Sequence, residues 1–156
     1  MIQRIQTIYL VIASILVALP VMLQLTLASI NGDAGLYELN ALTAQLVTEA
    51  GVDNQFGSFP IAITLAASLI LSIYAILQFK NRKFQMTLTR LAMLCQLAIG
   101  VLVFFYADKM AALVDGAEVA YSPILAFLPL SVILYFLAWR SIKKDEALVR
   151  SADRLR

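Results

Sequence analysis

Cys95 is the chain's only cysteine, and the chain contains no histidine. Together these facts remove most routes to chemistry. No metal cluster of Cys and His can be assembled, no disulfide can form within the chain, and the commonest general base is missing. Cys95 lies in an apolar run with no cation near it in sequence. Its thiolate is therefore disfavoured, and it reads as a small apolar filler. The six glycines form no phosphate-cradling loop. Carboxylates remain: Glu38, Glu49 and Asp53 share one polar stretch and could do acid–base work, but no nucleophile pattern stands beside them. No catalytic residue, metal or other cofactor is expected, and the chain is not expected to be an enzyme.

A second set of polar groups sits within long apolar runs: Gln24, Thr26, Thr64, Ser68, Ser72, Tyr74, Gln78, Gln96 and Ser131. None is charged. Charged groups at membrane depth mark ion paths, whereas amides and hydroxyls tie helices together. A proton-coupled transporter is therefore disfavoured. Gln24 and Gln96 are the costliest to bury. With Pro20 and Pro129 they outline an alternative reading, a small transporter or lipid-binding protein with a site between helices.

The third set is basic. Eleven of the twelve Lys and Arg residues fall in residues 1–4, 80–90 and 140–156. The last stretch interleaves cations with Asp145, Glu146 and Asp153, pairs Glu146 with Arg150 at i,i+4, and carries Leu148, Ala152 and Leu155 as an apolar stripe. It reads as a continuation of the preceding helix. A plain membrane anchor needs only a few cations, so docking on a partner protein or on anionic headgroups is as well supported as simple anchoring. The candidate contact residues are Arg4, Lys80, Arg82, Lys83, Lys143, Lys144, Asp145, Glu146, Arg150, Asp153, Arg154 and Arg156.

What positions these groups is four uncharged apolar runs. The hydrophobic fraction is 62%, the charged fraction 14% and the mean hydropathy +0.85, well outside the range of soluble domains. A helix crossing a ~30 Å core needs roughly 20 apolar residues. In lipid the backbone must satisfy itself, so the runs predict helices over about 5–30, 58–79, 88–107 and 121–139, followed by a tail at 140–156. The whole chain then forms one all-α, four-helix transmembrane domain. Barrel strands would show ten-residue alternation, which is absent. The first run is too long for a signal's apolar core and is expected to be retained.

The basic stretches hold eleven cations against three acids, and the intervening loops one cation against seven acids. Lys and Arg bias in short loops sets orientation, so both termini are expected in the cytoplasm. The small overall charge conceals this asymmetry and is no sign of nucleic-acid binding. Tyr9, Phe79, Phe84 and Trp139 mark the inner border, and Phe56, Phe59, Phe104, Phe105, Tyr106 and Tyr121 the outer.

Residues 31–57 form the only sizeable polar stretch. Asn31-Gly32-Asp33 signals a turn. Leu36, Leu39, Leu42, Leu46 and Val47 then recur at helical spacing, predicting a short amphipathic helix on the outer leaflet or capping the bundle. Pro60 and Pro123 fit helix starts, and Pro20 and Pro129 predict kinks within helices one and four. Ser58, Ala62 and Ala66, followed by Ser68 and Ser72, predict a close-packed seam.

Three segments together carry a resemblance: Met1-Ile-Gln-Arg-Ile-Gln-Thr-Ile-Tyr-Leu10, Phe79-Lys-Asn-Arg-Lys-Phe-Gln85 and Lys143-Lys-Asp-Glu-Ala-Leu-Val-Arg-Ser-Ala-Asp-Arg-Leu-Arg156. The chain resembles domain-of-unknown-function family four-two-nine-three, small membrane proteins found mainly in Bacteroidetes, over essentially its whole length. The resemblance implies a four-helix protein of the bacterial inner membrane and implies no activity. All three segments fall on the side the charge pattern makes cytoplasmic. The leading expectation is therefore a non-catalytic accessory or scaffold subunit whose partners are the bilayer and another membrane or cytoplasmic protein, or a second copy of itself.

Overall fold

The computed structural model describes residues 3–32, 35–48, 51–113 and 117–153, with the side chains of 3–4, 48, 51–56 and 152–153 left outside that description. The four apolar runs form helices: α1 (Gln3–Met22), α2 (Phe59–Leu77), α3 (Arg82–Ala111) and α4 (Phe127–Asp153). Each is long and apolar enough to cross a membrane. They pack in chain order around a ring, α1 on α2, α2 on α3, α3 on α4 and α4 on α1.

The inward stripes explain the packing. On α1, Gln6, Leu10, Ala13, Val17 and Pro20 are buried; on α2, Ile61, Leu65, Ser68, Ser72 and Ala75; on α4, Ser131, Tyr135, Ala138, Ile142 and Asp145. Although α3 takes two fours in a row at Ile99, Val103 and Ala107, these three stripes advance by alternating steps of four and three. That 3.5-residue repeat is the knobs-into-holes repeat of left-handed bundles. The outward faces are also apolar: Ile15, Ile63, Ile70, Leu94, Val101 and Ile133 are each more than half exposed. Such a surface suits hydrocarbon and not water.

Between α1 and α2 the polar stretch folds as four strands, β1 (Ala28–Gly32), β2 (Gly35–Leu39), β3 (Thr43–Thr48) and β4 (Gly51–Gly57), and not as the amphipathic helix predicted there. β5 (Glu118–Tyr121) adds to the other edge of β1, giving an antiparallel sheet in the order β4-β3-β2-β1-β5. The leucine spacing was misleading. Leu39 is buried on β2, Leu42 is an exposed turn residue and Leu46 is on β3. Two-residue connections join Gly32 to Gly35 and Thr48 to Gly51, so the Asn31-Gly32-Asp33 turn signal marks a hairpin, with Asp33 itself outside the described residues. Gly35 has φ of 141°, open to glycine alone at little cost. Ala28, Ile30, Leu39 and Ala44 of the sheet join the same core as Ala107 and Met110 of α3, so the sheet closes one end of the bundle.

The sheet also resets three helix boundaries. The predicted first helix to residue 30 stops at Met22, because Gln24 adopts φ of 48° and reverses the chain. The Leu25 amide donates to the Pro20 carbonyl at 3.1 Å and the Gln24 amide to Val21 at 3.3 Å, the paired bonds of a Schellman cap. Gln24 is thus a cap and not a mid-helix polar group. The predicted fourth helix starts late, because residues 118–121 pair with β1 and a short 3-10 turn (Pro123–Ala126) precedes α4. Pro129 therefore lies in the first turn of α4, where a missing N–H breaks no bond. α3 is longer than predicted at both ends, opened by Asn81, whose Oδ1 accepts from the Phe84 amide at 3.2 Å. On α2 the predicted seam is only half right: Ser58, Ser68 and Ser72 are buried, but Ala62 is half-buried and Ala66 exposed.

Candidate functional site

The end of the bundle opposite the sheet gathers the start of α1, the α2–α3 turn and the last third of α4. Asp145 is 7% exposed. It accepts a hydrogen bond from Gln6 Nε2 of α1 through Oδ2, and its backbone carbonyl accepts from Arg82 Nη1 of α3 at 3.1 Å. One residue thus ties three helices. Its other carboxylate oxygen, Oδ1, is buried without a partner among the described residues. Arg82 and Asp145, both candidate contact residues by sequence, are therefore turned inward.

The rest are dispersed. Lys80 is exposed in the α2–α3 turn, and Lys83, Lys143, Lys144 and Arg150 are exposed on their helices. Glu146 is half-buried and pairs with Arg150 at 3.8 Å. Arg4 and Asp153 lie in helices with side chains outside the described residues, and Arg154 and Arg156 are outside them altogether. Lys83, Lys143, Glu146 and Arg150 come together around a groove of about 660 Å³ between α3 and α4. Lys144 and Leu148 face elsewhere; Leu148 is 51% exposed. Nearer the middle of the bundle, Trp139 carries Lys143 Nζ 5.2 Å and Arg90 Cζ 5.4 Å from its ring centroid, a pair of cation–π contacts.

A second groove, of about 450 Å³, lies along the same two helices toward the sheet end. It is lined by Leu97, Gly100 and Phe104 of α3, by Pro129 and Val132 of α4, and by Gln96. Gln96 is buried; its Nε2 donates to Ser68 Oγ at 2.9 Å, while its Oε1 has no partner among the described residues. Pro20 and Gln24 line a separate, smaller cavity of about 200 Å³ under the sheet. The four residues grouped by sequence therefore belong to two places.

Between these sites the bundle is tied by groups that composition did not single out. Tyr135 is fully buried and hydrogen-bonds Ser72 across the bundle, and Gln85 Nε2 donates to the Ala75 carbonyl at 3.0 Å. Their stripe spacing was the available signal. Thr26 donates to Glu38 Oε2 at 3.3 Å; Glu49 lies outside the described residues, as does the Asp53 side chain. Partial desolvation, followed by the nearby Asp108 carboxylate, pushes the Tyr121 phenol up from its ordinary value.

A comparison with curated proteins finds no match. A family profile does match, over residues 2–155, and spans all four helices, the sheet and both grooves. The chain belongs to the family described as domain of unknown function DUF4293.

Proposed function

We propose that this chain is a non-catalytic accessory or scaffold subunit of the bacterial inner membrane, with both ends in the cytoplasm, that engages a partner protein through its basic end. The carrying observation is the form of α4 beyond Trp139. It continues without a break to Asp153 and presents Leu148, 51% exposed, one turn beyond the exposed Lys144 on the same face. An exposed apolar side chain beside a cation on a continuous helix suits helix-in-groove recognition. Charge supports the orientation. Arg82 and Lys83 occupy the first turn of α3, where they oppose the helix dipole. Helix stability does not call for them there, whereas the positive-inside rule does.

The test uses full-length protein in mild detergent, beside a form lacking residues 147–156 and a Leu148→Glu variant. Both should insert normally and lose the same co-purifying protein. Retention of that protein by either variant sinks the docking reading.

The groove at membrane depth favours a second reading, a lipid-binding protein. Lipid extracted from the purified protein, enriched over the surrounding membrane, would support it.

A further inference from the structure

The two grooves between α3 and α4 lie along one seam. Arg90 stands against Trp139, Lys83 shares a groove with Glu146, and Leu97 and Phe104 share the other with Val132 and Leu125. The Arg90–Trp139 contact and the Arg82–Asp145 hydrogen bond set one antiparallel register, in which about seven residues along α3 match about seven back along α4. On α3 the positions 83, 86, 90, 97 and 104 advance by threes, fours and sevens, as do 129, 132, 139, 143, 146 and 150 on α4. Each set therefore occupies one helix face. The basic groove and the apolar groove open on the same side of the molecule, one above the other.

We infer that this seam binds a single anionic glycerophospholipid from the leaflet at the basic end. Its phosphate sits at Arg90 and Lys143, and the end of one acyl chain enters the near part of the groove below, at Leu97, Gly100 and Val132. This deepens the lipid-binding reading and does not depend on partner docking, which centres on Lys144 and Leu148 outside the seam, although both surfaces border Arg150.

Charge complementarity chooses the occupant. Lys83, Arg90, Lys143 and Arg150 surround the upper part of the seam against one acid, Glu146, which Arg150 engages. Depth agrees. Trp139 marks the interface, and Lys143 lies one turn, about 6 Å, beyond it, within the headgroup layer. Half of a ~30 Å core is about 15 Å, which from Arg90 reaches Gly100 at 1.5 Å per residue. At Gly100 an added Cβ would meet nothing within 4 Å, so the backbone is bare where the chain would end. The groove walls are apolar, as an acyl chain requires. Gln96 is the polar exception in this lining, and its Oε1 gains no partner from such a chain.

The test measures lipid retained by the full-length protein, in native mass spectrometry from detergent, with phosphatidylglycerol or phosphatidylcholine of identical chains. Wild type should hold phosphatidylglycerol at least tenfold better, with the preference weakening at high salt. Arg90→Gln combined with Lys143→Gln should bring the two lipids within about twofold. Gly100→Phe fills the open space, and Gly100→Leu does so more gently; each should reduce retention of both lipids at least fivefold with an unchanged melting temperature. Glycerol 3-phosphate should not compete, since the acyl chain contributes. Effective competition would make this a simple anion site and overturn the inference. Equal retention of both lipids by wild type, abolished by the Gly100 variants, would overturn it too while leaving lipid binding standing. Retention of neither lipid would end both.

Discussion

Gln24 holds a backbone conformation that side chains with a Cβ avoid, with φ of 48°. Glycine would adopt it freely, so Gln24→Gly should stabilise the protein by about 1 kcal/mol, read as a raised midpoint of thermal unfolding in detergent. Gln24→Val should lower it, since a β-branched residue fits that region worst. Asp145 poses the opposite problem. Its carboxylate is buried, one oxygen is bonded to Gln6 and the other to no described residue. Gln6→Leu removes the one described donor and should cost about 1–3 kcal/mol or more. Asp145→Leu in the same chain removes the stranded group. The double variant should therefore be more stable than the sum of the two single losses, by about 1–3 kcal/mol of coupling. Simple additivity would show that the contact does not carry the energy assigned to it.

The helices were legible as elements because a bilayer imposes one length on them: three uncharged runs meet it outright, and the run from Leu91 reaches it once Leu88 and Arg90 are taken into its first turn. The ends of α2 were legible within two residues, but the end of α1, both ends of α3 and the start of α4 were not. Where α1 stops depends on Gln24 entering the left-handed region, and where α4 begins depends on residues 118–121 pairing with β1, some ninety residues earlier. No local pattern encodes that pairing. The strands were hidden for a related reason: they run to only four to seven residues, too short for alternation to outweigh a chance leucine spacing, although Gly32, Gly35, Gly51 and Gly57 bracket them in sequence. The basic residues were legible by type. Their assembly with Trp139 and Gly100 along one seam needs the register of α3 against α4, which residue types do not carry. The sheet gives an element-scale prediction. Gly35→Val places a β-branched residue at φ of 141° and should cost about 1–3 kcal/mol. The loss should appear first as faster proteolysis at the sheet end, with the α3–α4 groove still retaining lipid. Equal loss at both ends would mean that the sheet and the bundle unfold as one unit.

At the scale of the whole molecule, the sheet end and the basic end differ in charge, shape and chemistry, and the four apolar rods between them fix their separation. The sheet joins α1 to α2 and α3 to α4, so it must stand wholly on one side of any membrane these helices cross. The Gln6–Asp145–Arg82 contacts and the α2–α3 turn gather the other ends, including the last turns of α4. Sidedness is therefore a single binary property: a label on either end decides it for every loop. Cys95 is the only native thiol, so Cys95→Ala clears the background. Asn31 and Glu118 are exposed at the sheet end, and Lys80 and Lys144 at the basic end. Asn31→Cys and Glu118→Cys should react with a membrane-impermeant maleimide in intact spheroplasts, and Lys80→Cys and Lys144→Cys only after lysis. The eleven basic-end cations make this the favoured direction, because Lys and Arg near helix ends resist translocation. If the reactivities come out reversed, the basic end faces away from the cytoplasm, and partner docking there fails with the charge argument. The phospholipid seam would survive, because it needs only that Trp139, Arg90 and Lys143 lie at a headgroup layer, whichever leaflet that layer belongs to.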